Sequence, residues 1–322
     1  MPRTRALLTG ISFALAFVGA CGGPPEKPAE SSLPTRIPAA LVKDREISGV
    51  VLGLALKEPT GVSSDLRGDV YVVDAGNDRV IKFDPNLAPL VDRGSFGNQQ
   101  GQFNQPKFVT VDNVLAVLVS DAGNRRIERL DAELNFVEQY VMNDDTDPLK
   151  YGAPSGVAAT KYGAVWIADY DKNRLVILDN VGSFDKFAAD YGATGGQLDH
   201  PQKLISDDDD NFYVCDPGNA RIAVYDSYGA FSRNIKDPDV IYPVAAAFDS
   251  KGYLWVLDQA SVRLFCFTAS GRKITEKGLE VFGLSKPLTT PADLTVLPND
   301  RLLITDSGDN RLIVCRIILS QP

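Results

Sequence analysis

Histidine is almost absent from this sequence, since His200 is the single one among 322 residues. A single histidine excludes sites that need two or more, such as a three-histidine zinc centre or an HExxH zinc protease. Positive charge is also in deficit, because 33 lysines and arginines stand against 42 aspartates and glutamates and give a net charge of −9. Nucleic-acid binding needs a positive surface, so we expect no nucleic-acid partner.

Long apolar runs are scarce as well. The longest, Ala6 to Ala20, follows two arginines and is short for a membrane span but typical of a secretory signal peptide. It ends in Val18-Gly19-Ala20-Cys21, which resembles the lipobox of bacterial lipoproteins. The resemblance implies that residues 1–20 are removed and that Cys21 carries the lipid. The alternatives are an ordinary signal peptide with a chance cysteine, or an uncleaved anchor.

Residues 21–44 contain five prolines and few apolar residues, which predicts an extended tether between the lipid and a folded domain. We therefore expect a cell-envelope protein, on the periplasmic or surface side, whose lipid is its only membrane contact. Gly22 follows the cysteine in place of the aspartate that retains some lipoproteins at the inner membrane, which favours the outer membrane.

The remainder, residues 45–322, consists of six copies of one unit. In every copy an aspartate stands 15 residues after a proline, as in Pro59 and Asp74, and an arginine stands 5 residues after the aspartate, as in Arg79. Only the segment from the arginine to the next proline varies in length. The aspartate and arginine pairs are Asp74 and Arg79, Asp121 and Arg126, Asp169 and Arg174, Asp216 and Arg221, Asp258 and Arg263, and Asp306 and Arg311.

Each complete copy has the residues for four short strands in about 46 residues, which is the size of one propeller blade. The motif resembles the NHL repeat, as in Pro59-Thr-Gly61-Val62, then Tyr71-Val-Val-Asp74, then Asn77-Asp-Arg79. The resemblance implies an all-β fold, a six-bladed β-propeller of four-stranded blades. The sixth copy lacks a fourth strand, and we predict that the apolar segment Ile47–Leu56 supplies it and closes the ring.

Features present in all six copies are predicted to be structural, because an active site occurs once. We expect each repeat aspartate to cap its turn and each arginine to pair with a nearby carboxylate. Glycine stands two residues after the aspartate in four copies, which predicts a turn that needs positive φ. Cys215, Cys266 and Cys315 cannot all pair in one chain, and we predict three buried free thiols.

Candidate binding residues lie where the repeat pattern breaks. In the NHL resemblance, the second position after each proline lies near the mouth of the central channel. This position holds Phe108, Lys203 and Asp293 in three copies and small residues in the other three, which predicts a small pocket; the alternative is that Lys203 and Asp293 form an ion pair. Two turns also depart from the pattern, and their candidate contact residues are Tyr170, Lys172 and Gln259.

Two further features have structural interpretations. His200 occupies a framework position of the repeat, which favours a hydrogen-bonding role over catalysis. The acidic run Asp207 to Asp210 is predicted to be the solvated tip of a hairpin on the opposite face, with calcium binding as the alternative.

These observations favour a monomeric propeller that binds an envelope protein or a small ligand without catalysis and without a cofactor. Six-bladed relatives include calcium-dependent lactonases and a lyase, so a calcium-dependent enzyme is the alternative. Such a metal needs several oxygen or nitrogen ligands, and the predicted mouth position supplies only Asp293. A third possibility is a structural subunit of an envelope complex that makes its contacts through the blade edges.

Overall fold

The computed structural model describes residues 38–141, 151–278, 283–284 and 286–319. Cys21 and most of the predicted tether lie outside the described residues, as does the predicted signal peptide. No helix within the described ranges has the length and apolar character to cross a membrane.

The described chain is almost entirely β-structure. It begins with β1 (Pro38–Ser48) and a short hairpin of β2 (Val50–Val51) and β3 (Leu54–Ala55). Five blades of four strands follow in chain order. Blade 1 has β4 (Pro59–Ser64), β5 (Val70–Asp74), β6 (Arg79–Phe83) and β7 (Pro89–Arg93). Blade 2 has β8 (Pro106–Val111), β9 (Val117–Asp121), β10 (Arg126–Leu130) and β11 (Phe136–Val141).

Blades 3 to 6 repeat this order. Blade 3 has β12 (Pro154–Ala159), β13 (Val165–Asp169), β14 (Arg174–Leu178) and β15 (Phe184–Ala188). Blade 4 has β16 (Leu204–Ser206), β17 (Phe212–Asp216), β18 (Arg221–Tyr225) and β19 (Phe231–Ile235). Blade 5 has β20 (Pro243–Phe248), β21 (Tyr253–Asp258), β22 (Arg263–Thr268) and β23 (Lys273–Gly278). Blade 6 has β24 (Pro291–Leu297), β25 (Arg301–Asp306) and β26 (Arg311–Leu319), with 3-10 turns at Ala75–Asn77, Pro217–Asn219 and Ser307–Asp309 in blades 1, 4 and 6.

Burial follows the position of each strand within its blade. Second strands such as β5 and β9 are buried at every residue, because both of their faces pack against neighbouring blades. The fourth strand β11 alternates between half-buried and exposed residues, as expected for an outer strand with one face in water. The apolar core of the described residues is divided into clusters that each join two adjacent blades.

The first strands surround the central channel. Each first strand contacts the first strand of the next blade, and β24 of blade 6 contacts β4 of blade 1, so the ring is closed. This confirms the six-bladed propeller of four-stranded blades. A closed ring removes the free sheet edges that an open array would expose.

An N-terminal strand completes blade 6, as predicted, but it is β1 and not the segment Ile47–Leu56. Strand β1 pairs antiparallel with β26 from Pro38 to Ser48, so it begins inside the stretch predicted as tether. Residues 50–55 form the β2–β3 hairpin instead. The carbonyl oxygens of Val51 and Leu54 accept hydrogen bonds from Arg79, so this hairpin serves as the loop that leads into blade 1.

The three cysteines of the propeller are free and buried, in agreement with the prediction. Burial raises the pKa of Cys266 and of Cys315 to about 12, and it also raises the pKa of Cys215. Thiols protonated at neutral pH are poor nucleophiles, so none of these cysteines is suited to covalent chemistry.

Candidate functional site at the channel mouth

The six segments from repeat aspartate to repeat arginine lie on one face of the ring, here called the turn face. In five blades the arginine Nε donates to the aspartate Oδ2, at 2.7 Å in blade 1 and 3.2 Å in blade 3. In every blade the aspartate also accepts the backbone N–H of the residue 17 positions earlier, as Asp74 does from Lys57. The aspartate therefore ties the incoming loop to the turn, and only in blades 3 and 5 of the described chain does it also accept a backbone N–H from its own turn.

The glycines two residues after the aspartate do not have positive φ, contrary to the prediction. A Cβ at Gly76 would lie 2.6 Å from the side chain of Lys57, so close packing of the incoming loop requires the glycine. The left-handed residue comes two positions later in all six copies. These residues, none of them glycine, are Asp78, Arg125, Asn173, Ala220, Val262 and Asn310.

Blade 5 departs from the shared pattern. Asp258 is bonded by Ser261 through both the backbone N–H and the hydroxyl, while Arg263 turns outward to Glu276 at 3.4 Å. In blades 1, 2, 4 and 6 the arginine also donates to carbonyl oxygens of its lead-in loop, for example Arg126 to Gln102. The lead-in loop of blade 5 is shorter by about five residues, so Arg263 lacks those acceptors among the described residues.

Lys203 and Asp293 are brought together inside the channel. Lys203 Nζ lies 2.6 Å from Asp293 Oδ1 and also donates to the carbonyl oxygens of Leu294 in blade 6 and Val62 in blade 1. Asp293 accepts the N–H groups of Val62 and Leu294 at 2.7 Å each. Every donor of the ammonium is used, and the pair crosses the channel from blade 4 to blades 1 and 6. Both residues are buried, so neither lines an open pocket.

The two glycines at the same repeat position, Gly61 and Gly156, do not create room in the channel, which corrects the predicted reason for them. A Cβ at Gly61 would lie 2.6 Å from the carbonyl oxygen of Lys107, and one at Gly156 would lie 2.4 Å from that of Gln202. Gly156 also donates its N–H to Gln202 across the blade boundary. Glycine is needed here because the first strands of adjacent blades approach closely.

A cavity of about 190 Å³ lies at the channel mouth on the turn face. Most of its lining comes from the residue directly after the repeat proline, together with the candidate residues Phe108 and Gln259. The lining residues are Thr60, Lys107, Phe108, Gln202, Tyr242, Val244, Gln259 and Ala292. Of the predicted site residues, Phe108 and Gln259 line this cavity, whereas Lys203 and Asp293 do not. Lys107, Gln202 and Tyr242 also line it and were not among the predicted residues.

A β-bulge explains why the residue directly after the repeat proline lines the cavity. Strands β4, β8 and β12 carry an extra residue between the repeat proline and the third residue after it, as Pro59 pairs with Asp74 and Val62 with Val72. The bulge changes which side chains face the channel mouth. Simple alternation along a strand therefore does not reveal that the first position after the proline lines the cavity.

Lys107 is the cation of this mouth. Its Nζ lies 4.5 Å from the ring centre of Tyr170, which places the candidate residue Tyr170 beside the cavity. Burial lowers the pKa of Lys107, and the nearby Asp171 only opposes this effect. The Asp171 carboxylate instead accepts the N–H of Ala153 at 2.9 Å.

The remaining candidates lie around the same face. His200 is 50% exposed in its side chain, its Nδ1 lies 2.5 Å from Asp199, and its ring centre is 5.0 Å from that of Tyr170. Its backbone N–H donates to Asn173 of the preceding blade, which is a framework role. Gln259 Nε2 donates to the carbonyl oxygen of Pro291. Lys172 is exposed and does not line the cavity.

The acidic run Asp207–Asp210 lies in the hairpin between β16 and β17, on the opposite face, beside a second cavity of about 300 Å³. The Asp207 carboxylate accepts the N–H groups of Asp209 and Asn211, so the turn itself uses its oxygens. Among the described residues one cluster of three acidic side chains has a spacing that could hold a metal ion. These residues are Asp237, Asp239 and Glu276. The Lys273 ammonium contacts all three at 2.9–3.4 Å.

Fold and site together define a six-bladed β-propeller with a small cavity at one channel mouth. In sequence, the chain is similar to proteins that include NHL-repeat proteins. It is 24% identical to E3 ubiquitin-protein ligase NHLRC1 of Rattus norvegicus, over 82% of this chain and 68% of that protein. It is 34% identical to NHL repeat-containing protein 3 of Mus musculus, over 25% of this chain and 24% of that one.

The similarity to brain tumor protein of Drosophila melanogaster, at 26% identity over 43% of this chain, spans 13% of that protein. No protein-family model matches the chain. Similar solved structures include a streptogramin B lyase, with TM-score 0.64, 13% identity and coverage of 85% of this chain and 98% of that one. A gluconolactonase from Xanthomonas campestris has TM-score 0.61 and 17% identity, over 88% of this chain and 99% of that one. These identities establish the fold alone.

Proposed function

We propose that this protein is an exported, lipid-anchored propeller that binds a ligand or a partner without catalysis, at the channel mouth on the turn face. The observation that carries the proposal is the mouth cavity. It combines apolar walls such as Phe108 and Val244 with the amides of Gln202 and Gln259, the hydroxyl of Tyr242 and the ammonium of Lys107. A few polar groups converging in an otherwise apolar concavity are typical of a ligand site.

The interior of the channel supports binding at the mouth and not chemistry deeper inside. A calcium ion takes six to eight oxygen ligands. Inside the channel, the repeat position two residues after the proline supplies one carboxylate, that of Asp293. The ammonium of Lys203 lies 2.6 Å from this carboxylate and neutralises its charge. These residues do not fit a divalent metal centre, although relatives of this fold include a lyase and a gluconolactonase. We therefore expect neither calcium nor a chelator to change the melting temperature.

A photo-crosslinking amino acid placed at position 170 tests the proposal in native envelopes. Position 162 is the matched control, because Tyr162 is also a tyrosine, is 77% exposed and lies at the hairpin on the opposite face. We expect discrete adducts at position 170, with a protein or a small molecule distinguished by mass, and none at position 162. Adducts of equal yield at both positions, or none at position 170, would contradict binding at the mouth.

A further inference from the structure

Lys107 is half-buried and differs from the buried cations of the propeller. The repeat arginines of blades 1, 2, 4 and 6 are buried and each pairs with its aspartate, and the buried Lys82 lies 3.0 Å from Asp69. Among the lysines and arginines of the described residues that are at least half-buried, Lys107 is the one whose terminal group makes neither a hydrogen bond nor an ion pair. Its contact is the face of the Tyr170 ring.

The groups around Lys107 explain this state. Burial lowers the pKa of Lys107, and the Asp171 carboxylate is the negative charge that raises it. This carboxylate lies beyond ion-pair distance from the ammonium and accepts the N–H of Ala153 instead. Asp199, farther along the turn face, is bonded to His200. A partly buried ammonium without a partner lowers the stability of a fold. Retaining one at the mouth of a cavity points to a ligand that supplies the missing negative charge.

The other polar groups of the cavity are similarly unused. The side-chain amide of Gln202 and the hydroxyl of Tyr242 make no hydrogen bond within the described residues, and Gln259 uses only its amide nitrogen. One ammonium, one amide and one hydroxyl match the two oxygens of a single carboxylate. A doubly charged phosphate would leave charge uncompensated, because no second cation lines the cavity. Phe108 and Val244 suit an apolar body.

We propose that the mouth cavity binds the carboxylate of a small organic acid with an aromatic or apolar body, and that Lys107 is the anchoring cation. This inference rests on the proposed binding at the mouth and names the chemical class of the ligand.

The test uses phenylacetate as the probe, with the full chain and ligand-observed NMR titration. Phenylacetamide is the neutral control of the same shape, and phenylphosphonate is the doubly charged control. We expect phenylacetate to bind and phenylacetamide to bind at least about tenfold more weakly, because the amide loses the charge-assisted hydrogen bond to Lys107. Phenylphosphonate should also bind more weakly than phenylacetate, because no second cation in the cavity lining compensates its second charge. Equal binding of the amide, or no binding of phenylacetate, would overturn the inference.

Two variants separate an anchoring role from a structural one. Lys107→Met should abolish phenylacetate binding and raise the melting temperature of the unliganded protein, because it removes an unpaired, desolvated charge. Lys161→Met, on the opposite face, should leave both unchanged. Binding retained in Lys107→Met, or a lower melting temperature for it, would count against the anchor.

The two proposals can fail separately. Adducts at position 170 without phenylacetate binding would refute the carboxylate inference and leave binding at the mouth intact. Absence of adducts together with absence of probe binding would refute both.

Discussion

Lys203 Nζ lies 2.6 Å from Asp293 Oδ1 across the central channel, and both side chains are buried. The two residues are 90 positions apart in the chain, in blade 4 and blade 6. Their hydrogen bonds also reach Val62 of blade 1, so one ion pair joins three blades around the channel axis. The pair therefore links blades 1, 4 and 6 inside the channel.

Removing one member of this pair should destabilise the propeller strongly. We expect Asp293→Ala to lower the free energy of unfolding by about 3–5 kcal/mol, because it leaves the Lys203 charge buried and unpaired. The double variant Lys203→Met/Asp293→Leu should lose clearly less, since both charges are removed together. Urea unfolding measures both values. A double variant as unstable as Asp293→Ala would show that the single-variant loss is not due to the stranded charge.

The closing strand gives a second prediction. A chain that begins at residue 37 keeps β1 and should match the full chain in stability. One that begins at residue 49 loses the whole partner of β26 and the buried side chain of Leu41. We expect the shorter chain to lose roughly 3 kcal/mol or more, because it exposes a sheet edge and apolar surface. Thermal unfolding of the two truncations decides this, and equal melting temperatures would contradict closure by β1.

Glu128 gives the third prediction, a pH dependence. This buried carboxylate in β10 lies 2.9 Å from Arg126 and accepts the N–H of Gly101, and burial raises its pKa from 4.5 to about 7. A raised carboxyl pKa means that the folded state holds the proton more tightly than the unfolded state. The contribution of Glu128 is therefore full below pH 4.5 and is lost as the pH rises to about 7.

The variant Glu128→Gln isolates this effect, because glutamine can accept the same N–H without ionising. Its stability should vary less with pH, and its deficit relative to the wild type should shrink by roughly 2 kcal/mol between pH 4.5 and pH 8. Denaturant unfolding at both pH values provides the comparison. A constant difference between the two proteins would mean that Glu128 does not titrate in this range.

The predicted lipid anchor is tested at Cys21, which lies outside the described residues. In a bacterial host, Cys21→Ser should block lipid attachment and signal removal, so the protein should accumulate as a larger, unlipidated precursor. Metabolic labelling with a fatty acid and electrophoretic mobility report the two events. Cys315→Ser is the matched control, because that thiol is buried in the propeller. Unchanged processing of Cys21→Ser would refute the anchor.

The sequence by itself determined the fold of this protein. Six equal spacings from proline to aspartate to arginine indicate six similar units, four short strands in a repeat of about 46 residues match one propeller blade, and the resemblance to the NHL repeat implies that the units close into a ring. The sequence also shows that the segment before Pro243 is about five residues shorter than its counterparts. This shorter lead-in loop explains why Arg263 turns outward to Glu276.

The tertiary structure alone decided which residues line the mouth cavity and which strand closes the ring. The bulge after the repeat proline, as in β4 and β8, places the residue directly after that proline at the mouth cavity, so that Lys107 lines it together with Phe108, while Lys203 and Asp293 do not. The tertiary structure also shows that Lys203 and Asp293 form an ion pair and do not line a pocket. The sequence left both alternatives open, because the choice depends on distances between blades. Strand β1 was not predicted for a similar reason. Its charged residues, such as Lys43, resemble the composition of the tether, and the segment is a strand because it pairs with β26.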